Sequence, residues 1–279
     1  MATTRRKRCG LTFKLLGCLS RLYCQTVDDP TAPAVDQQRA LSYGARAELY
    51  DRVRPSYPPQ VLSCLLAALP APPGLSRVAD VGAGTGKLTA VLAQAGFDVD
   101  AVEPDPRMRA VLTARLPAVR VHAGRGEELP LDDGSVDAVV YGNSWHWVDD
   151  AAGAAEAARV LRPGGVLAML WNYEKDGVPW VMILERLIGI QPRERPTPSM
   201  LKGFRPAEVT WLRWSREQDV AALPDYVLSH SMVAVLPAGQ REEVLAAVRR
   251  MAVEHPDLLG RDHVTVRMHV VHWIYHRHN

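Results

Sequence analysis

Gly82-Ala83-Gly84-Thr85-Gly86 places three glycines in five residues, between the apolar run Val78–Val81 and the amphipathic run Lys87–Ala95. No other feature constrains the fold as strongly. Alternating glycines allow left-handed backbone and leave main-chain atoms bare, which suits a loop that must approach a ligand closely. The apolar run before them reads as a buried strand. The run after them reads as a helix, with Gly96 placed for its C-terminal cap. The next apolar run, Asp98–Val102, reads as a second strand and ends on a carboxylate, Glu103.

The alternation continues. Asp105 can cap a helix with Pro106 in its first turn and Met108, Val111, Leu112 and Leu116 facing inward. "VRVHAG", "VDAVVYGNS" and "GGVLAMLWN" read as three further strands, with an alanine-rich helix, "DDAAGAAEAARVL", before the last. Strands alternating with helices predict an α/β fold, a doubly wound and mostly parallel sheet covered on both faces. Its ligand is expected beyond the strand C-termini, where strand order reverses. Residues 1–40 read as a basic leader and linker, expected to be disordered, and 41–279 as one domain. Within it, 41–76 should hold N-terminal helices, with Val61, Leu62, Leu65, Leu66 and Leu69 on one apolar face. Residues 77–173 form the binding core, and 174–224 read as a cap or insertion. Residues 225–279 read as a closing strand, helix and strand, the last lying at the sheet edge with its histidines exposed.

The glycine spacing bears on the ligand. A dinucleotide fold uses GxGxxG, and Lys87 stands where the third glycine would be needed. Asp80, two residues before the first glycine, would repel a pyrophosphate. It suits a ligand with an ammonium group, such as the methionine end of S-adenosylmethionine. Glu103, 17 residues after Gly86, can accept hydrogen bonds from two ribose hydroxyls.

Four stretches, "VADVGAGTGKLT", "AVEPD", "GRGEELPLDDGSVDAVV" and "VLRPGGVLAMLWN", resemble in order and spacing the class I S-adenosylmethionine-dependent methyltransferases. "YDRVRPSYP", "NSWHW" and "WNYEKDGVPWV" resemble a small-molecule branch that includes trans-aconitate-type carboxyl methyltransferases. The resemblance implies a seven-stranded Rossmann-like sheet with an antiparallel last strand and a helical cap. It also implies S-adenosylmethionine as cofactor, S-adenosylhomocysteine as product, and an adenine beside Gly126, Glu127 and Glu128. The expected cofactor site is completed by Asp80, Gly82, Ala83, Gly84, Thr85, Gly86, Glu103, Pro104, Asn143 and Ser144, with Tyr50 and Arg54 closing over it.

In-line methyl transfer asks mainly for alignment of donor and acceptor, from which well-oriented pairs gain ~7 kcal/mol or more. "GNSWHWVDD" follows the fourth strand and faces the cofactor. His146 is the candidate base, required by a hydroxyl or amine acceptor and not by a carboxylate. Trp147, Trp171 and Asn172 are candidate walls of the acceptor pocket, and a carboxylic acid is the acceptor class in view. Charge is balanced, with 33 basic and 31 acidic residues, which argues against a nucleic-acid partner. No apolar run reaches membrane-spanning length, and no ligand spacing for a metal is visible. The four cysteines read as free thiols in a reducing, cytoplasmic setting. Two other readings stay open, a cofactor-binding protein without turnover and a nicotinamide-dependent oxidoreductase.

Overall fold

A computed structural model of the chain describes residues 42–174, 177–190 and 199–278. The leader and linker, 1–40, lie outside these residues. Seven strands form one sheet: β1 (Arg77–Val81), β2 (Asp98–Val102), β3 (Arg120–His122), β4 (Val136–Gly142), β5 (Leu161–Glu174), β6 (Glu208–Asp219) and β7 (His263–His276). Their order is β3-β2-β1-β4-β5-β7-β6. The pairs among β1 to β5 are parallel, while β7 runs antiparallel to both β5 and β6. Strand order reverses between β1 and β4, so the crevice at their C-terminal ends is the expected ligand site.

The core explains the apolar runs. β1 and β4 are buried on both faces, Val78, Ala79, Ala138 and Val139 having no exposed surface. Continuous apolar strands are what a sheet covered on both sides requires. Helices α1 (Ala47–Val53), α2 (Ser63–Ala68), α3 (Lys87–Gln94), α4 (Pro106–Arg115) and α5 (Asp150–Val160) supply the cover. The Asp105 carboxylate accepts the Arg107 N–H at 2.8 Å, which caps α4. Asp149 receives the N–H groups of Ala151 and Ala152, which caps α5. On β2, buried Asp100 accepts from Arg77, Arg120 and His122. Those bonds outweigh its burial and hold its carboxyl well below the usual range.

Four expectations are corrected. Residues 226–237 do not form a strand. Seven of the twelve belong to two short helices, α7 (Leu223–Leu228) and α8 (Ser231–Ala234), whose apolar side chains pack on α9 (Ala238–Glu254) and α6 (Pro179–Ile188). Residues 174–224 are not only an insertion, because β6 lies within them and pairs along its whole length with β7. The cap is therefore built by α6 together with α7 to α9. β7 is not the edge strand, and His272 on it is 2% exposed. Its Nδ1 lies 3.7 Å from the Cys64 sulfur, and Cys64 is a free thiol. Leu66 is exposed, whereas Val61, Leu62, Leu65 and Leu69 are buried as expected.

Candidate active site

The three glycines of the loop are held for two different reasons. All have positive φ, +68° at Gly82, +59° at Gly84 and +83° at Gly86, where a side chain is strained. A Cβ on Gly82 would sit 2.5 Å from Ser144 Cβ, and one on Gly86 2.9 Å from Leu112 Cγ. One on Gly84 would meet nothing within 4 Å. Gly82 and Gly86 are thus packing glycines, and Gly84 is the bare position that a ligand can approach. Its N–H donates to Glu103 Oε2 at 2.9 Å, and Glu103 Oε1 accepts the Asp105 N–H at 2.9 Å. Burial pushes the Glu103 carboxyl up, and the two N–H bonds oppose it. Asp80 is 1% exposed. Its Oδ2 accepts the Thr89 hydroxyl at 2.6 Å, yet burial pushes its carboxyl up to about 7.

A cavity opens above this loop. Its lining brings together Asp80, Gly82, Ala83 and Gly84 from β1 and the loop, with Gly142, Asn143 and Asn172 from the ends of β4 and β5. Tyr50, Arg54, Pro55 and Tyr57 close it from α1 and the segment after, and Glu174, Tyr226 and Met268 wall the far end. Asn143 has φ +54°, which asparagine tolerates better than most residues. Asn143 Oδ1 accepts the Asn172 N–H at 2.7 Å, and its Nδ2 donates to the Asn172 carbonyl at 3.0 Å. Asn172 in turn donates to the Ser56 carbonyl at 3.3 Å, tying the N-terminal segment over the strand ends.

At the far end, charges gather around the Tyr226 ring. The guanidinium carbons of Arg54 and Arg216 lie 5.4 and 5.2 Å from its centroid, and His230 meets it edge-on at 5.0 Å. The Tyr226 hydroxyl donates to Glu174 Oε1, which Arg216 Nη2 also approaches at 3.4 Å. Burial, then the charges of Arg54 and Arg216, lower His230 well below the usual histidine range. Among the described residues, two permanent cations thus face one carboxylate here.

Eight of the residues singled out in the sequence line this cavity: Tyr50, Arg54, Asp80, Gly82, Ala83, Gly84, Asn143 and Asn172. The others stand around it. Thr85 is buried and bonds Asp51 at 2.8 Å. Ser144 donates to the Val81 carbonyl at 2.6 Å, beneath Gly82. Pro104 is exposed, and its carbonyl accepts from Arg109. A Cβ on Gly126 would press on Val148, Glu127 accepts the Asp149 N–H, and the Glu128 N–H donates to the Arg125 carbonyl. His146 is exposed on a turn, its ring 4.6 Å from that of Trp147 and 5.5 Å from that of Trp171. Sequence reasoning passed over Tyr57, Lys87, Glu174, Tyr226 and Met268. Tyr57, Lys87 and Glu174 lie in quoted motifs, "YDRVRPSYP", "VADVGAGTGKLT" and "WNYEKDGVPWV", but were given no part in the site.

A doubly wound sheet with a bare glycine loop at its switch point and an acid closing the second strand defines a nucleoside-binding α/β enzyme. Residues 79–169 match a methyltransferase domain. An uncharacterised methyltransferase of Mycobacterium bovis is 43% identical over 223 residues, covering 78% of this chain and 88% of that protein. A methyltransferase-like protein of Schizosaccharomyces pombe is 29% identical over 224 residues, covering 77% and 87%. A solved structure of a proposed type II methyltransferase from Anaeromyxobacter dehalogenans shares the fold, with TM-score 0.59 and 23% identity over 81% of this chain and 97% of that one. The chain belongs to the class I S-adenosylmethionine-dependent methyltransferases. It is a methyltransferase, with S-adenosylmethionine as its cofactor. The residues present fit that cofactor: open space at Gly84, a buried acid at Asp80 for an ammonium group, and Glu103 beside the loop for a ribose. Among the described residues no helix is long and apolar enough to cross a membrane.

Proposed function

We propose that the enzyme methylates a small acceptor that carries an acid group, bound between α1 and the cap. The observation that carries this reading is the far end of the cavity, where Arg54 lines the wall and both Arg54 and Arg216 flank Tyr226, whose hydroxyl donates to the Glu174 carboxylate. Arg54 Nη2 donates to the Ser229 carbonyl at 3.3 Å, and its Nε is buried without a partner. The Nε–H is thus a donor left to meet an oxyanion. Charged bonds of this kind are stronger than neutral ones.

S-adenosylmethionine, when bound, supplies a methyl group on a positively charged sulfur, which passes to an acceptor lone pair while the C–S electron pair stays on sulfur. The protein's part is placement. Asp80, Glu103 and the Gly84 backbone hold the donor, and Arg54 and Tyr226 orient the acceptor. Tyr50 and Tyr57 close the cavity against water. A carboxylate acceptor arrives ionised, so His146 need remove no proton from it.

Two measurements test the reading. S-adenosylhomocysteine at a hundred times its dissociation constant should stabilise the fold by ~2.7 kcal/mol, and no thermal shift at millimolar ligand would contradict cofactor binding. A mass-spectrometric screen with labelled S-adenosylmethionine should find methyl esters from a panel of small carboxylic acids. With that acceptor, His146→Ala should keep kcat within about threefold. If phenols or amines are methylated instead and His146→Ala lowers kcat by roughly 100-fold, the acid reading fails and His146 is the base.

A further inference from the structure

α1, which carries Tyr50 and leads into Arg54, is held to the cap by Arg52 on Asp225 and Arg54 on the Ser229 carbonyl, and to the glycine loop through one side chain that the cofactor reading leaves unused. Asp51 Oδ1 accepts from the Thr85 hydroxyl at 2.8 Å and from Arg115 Nη1 at 2.5 Å. Lys87 Nζ donates to the Asp51 carbonyl at 2.7 Å and lies 3.7 Å from Oδ1. Arg115 Nη1 also donates to the Thr85 carbonyl at 3.0 Å. One residue of α1 therefore joins the glycine loop, the first turn of α3 and the end of α4.

The cluster is poised rather than welded. Thr85 is 1% exposed, but the side chains of Asp51 and Arg115 are 22% and 36% exposed. Such a half-wet ion pair keeps part of its strength and exchanges readily with water and salt. Tyr50 and Arg54 line the cavity from one side and Ala83, Gly84 and Lys87 from the other. A ligand seated on Gly84 is thus enclosed between α1 and the loop, and it enters or leaves when they part. Without its Asp51 carboxylate, α1 loses its bonds to the Thr85 hydroxyl and to Arg115 Nη1 across the gap, which favours parting.

We propose that Asp51 is the latch of a lid formed by residues 43–54, and that its opening gates the entry of S-adenosylmethionine and the exit of S-adenosylhomocysteine. Asp51 is a positioning residue, since it touches no reacting atom and acts through α1 and Thr85. Lid steps of this kind commonly limit turnover.

Hydrogen exchange on the ligand-free full chain reads the latch without any cofactor. Asp51→Ala should speed exchange of the amides of 47–54 by about tenfold or more, with those of β1 and β2 unchanged. In stopped-flow measurements the same variant should release S-adenosylhomocysteine about 10- to 100-fold faster, with an association rate constant equal to or above that of wild type. Asp51→Asn, which keeps an acceptor for Thr85 and loses the charge, should fall between. Arg115→Ala should move release in the same direction, and it covers the case in which Asp51→Ala folds poorly. A residue that only stabilises the fold would lower Tm and leave release unchanged. Unchanged exchange over 47–54 in these variants, or an affinity loss lying in association alone, would overturn the proposal. A wild-type protein that fails to bind S-adenosylhomocysteine would instead count against the cofactor site, and the exchange comparison would still decide the latch.

Discussion

Asp80→Asn should yield a protein that is more stable than wild type without ligand at pH 8 and has lost most of its affinity for the cofactor. Burial pushes the Asp80 carboxyl up to about 7 from an ordinary 3.8, against the hydrogen bond from Thr89. Between these values the folded state holds a proton that the unfolded chain has lost. Its contribution to stability is therefore full below about pH 4, falls as pH rises to about 7, and stays low above. Three pKa units correspond to at most roughly 4 kcal/mol. An amide, which must itself find partners, should recover ~1–3 kcal/mol of this at pH 8 and little at pH 4. In the proposed donor site the ligand's ammonium group pairs with the ionised carboxylate, and removing one partner of a buried charge pair costs about 3 kcal/mol or more. Thermal melts at pH 4 and 8 and calorimetric titration with S-adenosylhomocysteine measure both halves. Wild-type affinity should rise with pH up to about 7 and then level, while that of the variant stays flat. A variant with wild-type affinity would mean that the ammonium group is met elsewhere.

Glu103→Ala should raise the cofactor KM by roughly 30- to 1000-fold, equivalent to about 2–4 kcal/mol, with a smaller effect on kcat. A carboxylate that holds the ribose does so in ground and transition states alike, so its loss appears in binding. The structure adds a second effect. Glu103 also accepts the N–H groups of Gly84 and Asp105, so its removal should cost the ligand-free fold about 1–2 kcal/mol. Glu103→Gln should not restore affinity, because its amide must turn an NH₂ group toward one of two N–H donors. Steady-state kinetics with denaturant melts separate the two effects. An unchanged cofactor KM in Glu103→Ala would show that another group carries the ribose.

The parts that were legible in the sequence are those decided locally. Gly82, Gly84 and Gly86 announce left-handed backbone, Asp105 and Pro106 announce a helix start, and the runs around Val78 and Val99 announce buried strands. Residues 226–237 were misleading because "YVLSHSMVAVLP" is rich in β-branched and apolar residues. Its helices are only six and four residues long, too short to impose a helical period, and packing on α9 decides them. β6 was hidden because the chain gives it charges and tryptophans on a largely exposed strand, and its pairing with β7 is non-local. The supposed exposure of His272 followed from placing β7 at the edge, and it reversed once β6 covered that edge.

By itself, then, the sequence determined the strand, glycine turn and strand end that carry the proposed donor half, from Asp80 to Glu103, because strand, turn and cap chemistry act over a few residues. Only the tertiary structure decided the meeting of Arg54, Glu174, Tyr226 and Met268 from four distant segments, the proposed acceptor half, since that meeting depends on how the cap packs against β7.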